Sequence, residues 1–492
     1  MLNYKKNNLL RALNILAAIS LIYLIFQNIL SFFNQNEYRY LHIDERLVVM
    51  NPIINVYNSI DVFDRFTHIS PILLKNIITI TAEMVLGGTL DYGRIYNNIF
   101  ILFVGPLNFF DTKLVIFSGR IIQMVILIYS VYIFSNYFIK KDLKIIFILL
   151  SLGLPGAYYI VQNPKPDSLA ILLFALGLKQ IFIIGNLRKG FFFVGISVGT
   201  KIITLIPGVI LGLYLIYPLK KINSLKKILD SIISTYFGVL IAQPALLIPL
   251  PRIYKKIFNA VSESSSYNQN EFLSLDYEFY KAWINKLAIE HRVPNIWFTI
   301  LLIITIFLII RNFYLKINIL ENYFLLSSFI LIIFITFNVE RTWNYYLFIP
   351  FLFLLIYIFK IQNYEKLTIL FGFLIISITF GGLLLHNDKA VNSFFNVDVE
   401  KNISLDLAIE YIDNKYLIND YVYKKVYWDS DYYFPGRNID YFSDFIVIEN
   451  WEREKQIEPL YEKVDFIVTT NLFKINNDVK LSKFGELYVY EK

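Results

Sequence analysis

Long apolar stretches separated by short polar loops recur along the first part of the chain, up to residue 386. A membrane-spanning helix needs about 20 consecutive, mainly apolar residues, and a water-soluble protein of this length would alternate polar and apolar positions far more often. The pattern therefore predicts an all-α polytopic membrane protein with about eleven transmembrane helices. The predicted spans are residues 9–33, 113–138, 144–161, 166–185, 190–200, 203–218, 228–250, 294–311, 322–338, 346–360 and 366–386.

Lysine and arginine residues are concentrated in every second loop, for example at Lys140 and Lys141 after the second span. Because cytoplasmic loops of membrane proteins carry an excess of these residues, we expect a multi-pass protein of the cell membrane with a cytoplasmic N-terminus and an extracytoplasmic C-terminus. The long polar segments then lie on the outer side. These are a first loop at 34–112 with amphipathic helices and a second loop at 251–293.

Residues 387–492 have a different character from the transmembrane module at 1–386. From Asp388 onward the chain carries 20 acidic and 13 basic residues, and its apolar positions are interrupted by polar ones. "SLDLAIEYIDNKY" has the spacing of a helix, whereas "DFIVIEN", "VDFIVTT" and "GELYVYE" have the composition of short strands. We predict a small extracytoplasmic α/β domain at the C-terminus.

The composition argues against cysteine-based sites and against nucleic-acid binding. The chain contains no cysteine, which excludes disulfides and thiolate metal sites. Its formal net charge is +7, but the basic residues are dispersed among the loops, so no nucleic-acid partner is expected.

An acidic pair follows the first span closely. Asp44 and Glu45 stand beside His42, and an apolar pattern with steps of three and four residues follows, which predicts an amphipathic surface helix. From charge alone a solvated juxtamembrane loop is the alternative interpretation. The apolar positions of the surface helix are Val49, Ile53, Val56, Ile60 and Phe63.

Basic residues occur where several other spans begin or end. Lys165 and Asp167 stand at the start of the fourth span, where Asp167 is expected to be the N-cap, and a capped helix with a snorkelling lysine is the alternative. Lys201 interrupts an apolar run, which suggests a functional site, with snorkelling as the alternative. Arg120 lies early in the second span, and Arg341 lies near Tyr345 in a short loop whose rings also fit an interfacial aromatic belt.

The predicted topology gathers these cations and the acidic pair at one membrane face. Arginine and lysine side chains bind phosphate groups, and a carboxylate can accept a proton from a hydroxyl group. The set therefore suits a substrate in which a phosphate is linked to a lipid.

Taken in order, these residues resemble the GT-C membrane glycosyltransferases, in particular phospholipid-carrier-dependent enzymes similar to protein O-mannosyltransferases and lipid A aminoarabinose transferases. Relatives often carry Arg or Lys directly before the late Tyr-Leu pair, where this chain has Asn344 and Tyr345, and Arg341 is the nearby cation. The matching features are the pair Asp44-Glu45, Arg120, the stretch Lys165-Pro166-Asp167-Ser168-Leu169-Ala170, the segment from Gly195 to Thr200-Lys201, and Tyr346-Leu347-Phe348-Ile349-Pro350.

The resemblance implies an enzyme that transfers a sugar, with inversion, from a polyprenyl-phosphate donor to a hydroxyl group of a lipid, glycan or protein at the extracytoplasmic face. It implies Asp44 or Glu45 as the catalytic base, and it leaves Asp64 and Glu83 both open as the second acid. The residues expected to bind the donor phosphate are Lys201, Lys165, Arg120 and Arg341, and the further candidates are His42, Asp64, His68, Glu83, Asp167 and Tyr345.

Other functions remain as alternatives at this point. No cofactor is firmly predicted, although Asp44, Glu45 and His68 together could hold a divalent cation. A transporter or flippase for lipid-linked sugars would also use cations along its path, but repeated halves and charges deep within several helices are more typical of that class. An O-antigen polymerase or ligase is a further alternative.

Overall fold

The computed structural model is mostly helical, with a small sheet near the C-terminus. The residues that the structure describes are 2–34, 53, 56, 81, 84–85, 93–110, 112–216, 223–247, 277–314, 319–338, 344–360, 366–395, 407–408, 410–411, 424–428, 439–441, 466–469, 480–485 and 487–491.

Within this part of the chain the α-helices follow one another with short 3₁₀ turns between several of them. The α-helices are α1 (Leu2–Asn34), α2 (Arg94–Phe103), α3 (Thr112–Phe138), α4 (Lys144–Ser151), α5 (Ala157–Gln162), α6 (Pro166–Lys179), α7 (Leu187–Thr200), α8 (Leu205–Ile216), α9 (Asn223–Ala242), α10 (Tyr277–Glu290), α11 (Ile296–Tyr314), α12 (Ile319–Asn338), α13 (Phe348–Lys360) and α14 (Lys366–Phe395). The 3₁₀ turns are Gly105–Phe109, Lys141–Leu143, Ile202–Thr204, Pro244–Leu247 and Asn344–Leu347, and a π-helical turn, Gln180–Ile184, extends α6.

Five of the described helices are long and apolar enough to cross a membrane, which fits a multi-pass membrane protein. They contain the segments Asn8–Phe32, Leu114–Phe138, Pro166–Ile184, Ile296–Tyr314 and Lys366–Val391. Shorter apolar helices at Ile202–Leu213, Leu320–Ile335 and Phe348–Lys360 match three further predicted spans. The count of eleven spans and the orientation of the chain stay predictions.

The predicted third span, 144–161, is divided into two helices. Helix α4 ends at Ser151, and α5 begins after Gly156, whose φ of +82° lies in the left-handed region. Glycine adopts this conformation without a steric penalty, so the sequence Leu154-Pro155-Gly156 makes a turn inside the apolar run.

The segment predicted as a first outer loop contains a well-packed helix. Helix α2 buries Tyr96 and Phe100, and these rings belong to one apolar cluster with Ile53 and Val56. Ile53 and Val56 are helical, as the predicted amphipathic pattern requires, and their side chains are fully covered by protein. This part of 34–112 is therefore packed against the helical bundle.

The C-terminal strands form a mixed five-stranded sheet of order β2-β1-β3-β5-β4. Strand β1 pairs in parallel with β2 and β3, whereas β5 pairs antiparallel with β3 and β4. Helical residue Tyr411 donates a hydrogen bond to Glu491 across 2.9 Å and packs on Phe484. The strands are β1 (Lys424–Trp428), β2 (Ile439–Tyr441), β3 (Phe466–Thr469), β4 (Lys480–Phe484) and β5 (Leu487–Glu491).

The strand predictions agree with the sheet at two places. "VDFIVTT" contains β3 and "GELYVYE" contains β5, whereas "DFIVIEN" lies outside the described residues. Strands β1, β2 and β4 were not predicted. "KKVYW" and "KLSKF" are too short and too basic to show a clear alternation, and β2 has only three residues.

Candidate functional site

The candidate site lies where α6 begins. Pro164 and Pro166 flank Lys165, and the extended backbone of Lys165 (φ −140°, ψ 146°) forms the N-cap position of α6. Pro166 occupies the first helical position, where its missing N–H group is not needed. Asp167 was predicted to be the N-cap, and this is wrong: Lys165 occupies that position, and Asp167 lies within the first helical turn. Its carboxylate therefore points to another partner.

That partner is Lys201, which stands at the end of α7. Helix α7 stops at Thr200 because Lys201 adopts an extended conformation (φ −150°, ψ 117°), and a 3₁₀ turn then leads into α8. The Lys201 ammonium lies 3.5 Å from the Asp167 carboxylate, and 5.6 Å from the ring centre of Tyr346. Lys201 is 6% exposed and Asp167 is 3% exposed. The lysine side chain thus does not extend to solvent as the snorkelling interpretation required.

Each charge of this pair stands at the helix end that favours it. A helix has excess positive charge at its N-terminus and excess negative charge at its C-terminus. Asp167 is in the first turn of α6, and Lys201 directly follows the last turn of α7. The field of each helix end therefore has the sign that attracts the charged group beside it.

Close backbone contacts fix the end of α7 in space. A Cβ added at Gly195 would overlap the carbonyl oxygen of Thr235, and one added at Gly238 would overlap that of Phe192. Helices α7 and α9 thus cross with their backbones in contact, as small residues allow in membrane helices. In the sequence, Gly195 was interpreted only as the first residue of a motif. Its structural role is to set the position from which Lys201 extends.

Hydroxyl groups hold the turn that carries Lys201. The Ser197 hydroxyl donates to the carbonyl oxygen of Ala170 in α6 across 2.7 Å and also lies 3.1 Å from the Thr204 hydroxyl. The Thr204 hydroxyl donates to the backbone carbonyl oxygen of Lys201 at 3.0 Å. These bonds link α6, α7 and the 3₁₀ turn, so the Lys201 backbone is fixed from both sides.

A buried arginine, Arg94, is adjacent to the same helix end. The Gly93 N–H group donates to the Thr200 carbonyl oxygen across 3.1 Å, and a Cβ at Gly93 would overlap the backbone of Gly199. Arg94, which is fully buried, begins α2 at this contact. Arg94 was not predicted as a site residue, because its segment was assigned to an outer loop. An arginine directly before the apolar stretch "IYNNIFILF" was the available signal.

Arg120 is buried in α3, the helix that packs on α6. It is 2% exposed, and the neighbouring Gly119 faces Pro164 at the start of α6. Gln123, one helical turn later, accepts hydrogen bonds from the hydroxyls of Tyr96 (2.9 Å) and Ser168 (2.7 Å). Helices α2, α3 and α6 are thus joined by one buried glutamine, which was not predicted from the sequence.

A second buried polar network lies immediately before the site in the chain. Gln162 donates to the Asn28 side-chain oxygen at 2.7 Å, and one ring nitrogen of His386 lies 3.0 Å from that same oxygen. The other ring nitrogen of His386 lies 3.0 Å from the Leu152 carbonyl oxygen. The network joins α1, α5 and α14, and Gln162 is followed directly by the segment that leads to Lys165.

The structure brings Asp167 and Lys201 together, with Lys165 at the N-cap of the same helix α6, and it places Arg120 on α3, which packs on α6. Tyr345 lies in the 3₁₀ turn Asn344–Leu347, where its neighbour Tyr346 faces Lys201. Among the described residues no group of three or more His, Asp or Glu side chains could hold a metal ion. The predicted residues His42, Asp44, Glu45, Asp64, His68, Glu83 and Arg341, which include the candidate metal ligands, lie outside the described residues.

Comparison of the chain with protein-family models, with curated proteins and with solved structures finds no match in any of the three.

Proposed function

We propose that the chain is an integral membrane glycosyltransferase that uses a polyprenyl-phosphate sugar as donor. The proposal rests above all on the buried pair of Lys201 and Asp167 at abutting helix ends. Lys165 lies two residues before Asp167, Arg94 begins the helix that contacts the end of α7, and Arg120 is buried in α3, which packs on α6. Ionisable groups inside a membrane protein are expensive to bury and are by default functional. Their chemistry determines which substrate fits.

A phosphate diester is the anion that this arrangement suits best. Arginine and lysine bind phosphate oxygens through charge-assisted hydrogen bonds, and arginine can do so with two parallel bonds. In a sugar transfer from a lipid phosphate, negative charge grows on the leaving phosphate. Donors that are fixed in advance in a water-poor site stabilise such a charge most effectively. Lys201, held by the turn described above, is the candidate for this role.

The acceptor side of the reaction is assigned to the acidic pair. In this proposal Asp44, or alternatively Glu45, accepts the proton of an acceptor hydroxyl, whose oxygen then attacks the anomeric carbon of the donor sugar from the face opposite the phosphate. The bond between the sugar and the phosphate breaks, and the lipid phosphate leaves with the electron pair. General-base assistance of this kind contributes roughly 10²–10⁴-fold to the rate.

Transfer of labelled sugar from a polyprenyl-phosphate donor, measured in membranes that contain the protein, tests the proposal. Lys201→Gln should reduce transfer by about 10²-fold or more, since removal of one fixed donor to a developing oxyanion costs that much elsewhere. Lys189→Gln is the matched control, because Lys189 is an exposed lysine at the opposite end of the same helix.

Asp44→Asn should reduce transfer to a similar extent while the protein still inserts into the membrane. Movement of the intact labelled donor across the membrane without formation of a new sugar bond would instead indicate a transporter. Wild-type transfer by Lys201→Gln would contradict the assignment of the phosphate site.

A further inference from the structure

The connection that carries Lys165 from α5 to α6 has few hydrogen-bond donors of its own. Pro164 and Pro166 flank the lysine, and proline has no backbone N–H group. The N–H group of Asn163 is already used to close α5, where it donates to the Tyr159 carbonyl oxygen at 3.2 Å. The path of this connection is therefore set mainly by partners on other elements.

Gln123 in α3 supports the connection from both sides. Its side-chain nitrogen donates to the Ile160 carbonyl oxygen in α5 at 2.9 Å. Its side-chain oxygen accepts a hydrogen bond from the Ser168 hydroxyl in α6 at 2.7 Å, and that hydroxyl also lies 3.4 Å from the Lys165 carbonyl oxygen. Gln123 thus bonds to one residue before Lys165 and to one residue after it, and it fixes the distance between the two ends of the connection.

The partners of Gln123 allow its amide group one orientation. A carbonyl oxygen can only accept, so the Gln123 atom that faces Ile160 must be the nitrogen. The oxygen then faces the hydroxyls of Ser168 and Tyr96, which occupy both of its lone pairs. Gln123, Tyr96 and Ser168 are fully buried. These bonds are costly to break, because the freed polar groups cannot turn to water.

The bond to Tyr96 extends this support to the end of α7. Tyr96 lies in the first turn of α2. The residue before that helix, Gly93, donates through its N–H group to the carbonyl oxygen of Thr200, which directly precedes Lys201. The bond between Gln123 and Tyr96 therefore ties the start of α6, through α2, to the turn that carries Lys201.

We propose that Gln123 is a positioning residue of the transferase, which holds the segments that carry Lys165 and Lys201 at the spacing that the donor phosphate requires. The inference rests on the proposed function and gives a role to a side chain whose oxygen has no lone pair left for a ligand. Negative charge on the phosphate grows as its bond to the sugar breaks. The placement of the cations therefore affects the transition state more than the bound donor.

Gln123→Met tests the proposal, because methionine has nearly the same length and volume but makes none of the three hydrogen bonds. Sugar transfer from a labelled polyprenyl-phosphate donor is measured with the full-length protein in lipid nanodiscs, and kcat is expressed per folded molecule, counted by size-exclusion chromatography. We expect kcat to be about 10–100-fold below wild type, the effect of a misplacement of about 1 Å, with little change in KM for the donor. A residue that only stabilised the fold would lower the amount of folded protein and leave kcat unchanged.

Asn312→Leu is the matched control. Asn312 is also fully buried, and its side-chain nitrogen donates to the Tyr357 hydroxyl at 3.0 Å, as Gln123 bonds to that of Tyr96. Tyr357 lies about 14 Å along α13 from the end of this helix that is next to Lys201. Asn312→Leu should therefore lower stability without a change in kcat.

Smaller changes test the same network if Gln123→Met does not fold. Tyr96→Phe and Ser168→Ala each remove one bond to Gln123 and should each lower kcat less than Gln123→Met does. The double variant Gln123→Met/Ser168→Ala should have nearly the kcat of Gln123→Met, because both changes remove the same bond. Fully additive effects on kcat would contradict a role of Gln123 that acts through Ser168.

Hydrogen exchange followed by mass spectrometry gives a readout that does not depend on sugar transfer. The peptide of residues 157–169 should exchange faster in Gln123→Met than in wild type, and peptides of α13 should not change. Faster exchange together with wild-type kcat would show that Gln123 only stabilises the fold, and it would overturn the proposal.

The remaining outcomes separate this proposal from the proposed function. Wild-type transfer with unchanged exchange and unchanged kcat in Gln123→Met would reject the positioning role alone, as would an equal fall in kcat in Asn312→Leu. Absence of sugar transfer by the wild-type protein would reject the transferase and with it the catalytic effect of Gln123, whereas faster exchange of the 157–169 peptide would still support its hold on the connection.

Discussion

Removing the charge of Asp167 should destabilise the protein strongly, because Lys201 would lose the carboxylate that lies 3.5 Å from it in a buried site. At an effective dielectric constant of 20, two unit charges at this separation attract each other by about 5 kcal/mol before desolvation is counted. Deleting one partner of a buried pair typically costs about 3–5 kcal/mol. We expect Asp167→Asn to lose an amount in this range.

The measurement is reversible unfolding of the purified protein in mixed micelles, in which the fraction of denaturing detergent is increased and helix content is followed by circular dichroism. Lys201→Met and the double variant Asp167→Asn/Lys201→Met complete a cycle. Because the two side chains contact each other, the double variant should be more stable than the sum of the single losses predicts, by about 1–3 kcal/mol.

An exposed ion pair of the same protein gives the matched control. Arg188 in α7 donates two hydrogen bonds to Asp230 in α9 at 3.1 and 2.7 Å, but the two side chains are 67% and 29% exposed. Exposed pairs contribute about 0–1 kcal/mol, so Asp230→Asn should change little. Equal losses of stability in Asp167→Asn and Asp230→Asn, or strictly additive losses in the cycle, would refute the view that burial strengthens the interaction between Asp167 and Lys201.

Three further predictions concern parts of the fold around the site. Burial lowers the pKa of His291 from 6.5 to about 4. The unfolded chain therefore takes up the proton first, and the contribution of His291 to stability, complete above pH 6.5, should fall by about 3 kcal/mol as the pH drops to 4. Unfolding curves of His291→Asn recorded at several pH values should lack this contribution and keep the pH dependence that comes from other groups. Gly195→Ala should destabilise the protein by about 1–3 kcal/mol, because the added Cβ overlaps the backbone of α9. Gly212→Ala should be neutral or stabilise the protein by up to about 1 kcal/mol, because its Cβ meets no other atom. Thermal unfolding that ranks the two variants in the opposite order would contradict this difference in packing. Asn28→Ala should lower the stability of the protein by about 1–3 kcal/mol, because it leaves the buried Gln162 amide without its acceptor. A loss no larger than that of an exposed Asn→Ala variant would show that a water molecule takes the place of the Asn28 oxygen.

The sequence predicted the membrane face on which residues at helix ends lie. Lys165 and Lys201 were assigned to one face because of the alternation of basic loops, with Asp167 as a further candidate, and the structure puts the Asp167 carboxylate 3.5 Å from the Lys201 ammonium. The partner of Asp167 could not be predicted, since a carboxylate in a first turn can cap its own helix or bind a neighbour, and only packing decides between them.

Other features depended on contacts that no local pattern shows. Arg94 joins the site because Gly93 fits against the backbone at Thr200, a contact between segments far apart in the chain. The division of the predicted span 144–161 had a local signal in Pro155-Gly156, but an apolar run of that length outweighed it. Apolar periodicity indicates that a segment is buried in membrane or protein, and it does not by itself show where the helix is interrupted.

The separation of Lys201 from Asp167 bears on how a phosphate would bind. Charge-assisted hydrogen bonds between nitrogen and oxygen are usually about 2.7–2.9 Å long, whereas this pair is 3.5 Å apart, so the ammonium is near the carboxylate without being tightly bound to it. A phosphate that arrives at the start of α6 would meet the positive end of a helix and would compete with Asp167 for Lys201. Binding would then exchange one counter-ion of the lysine for another and leave the buried Asp167 carboxylate without its partner, which opposes phosphate binding in the wild type. On this argument Asp167→Asn should bind polyprenyl phosphate more tightly than wild type although it unfolds more easily, and a joint loss of both properties would mean that Asp167 itself contacts the ligand.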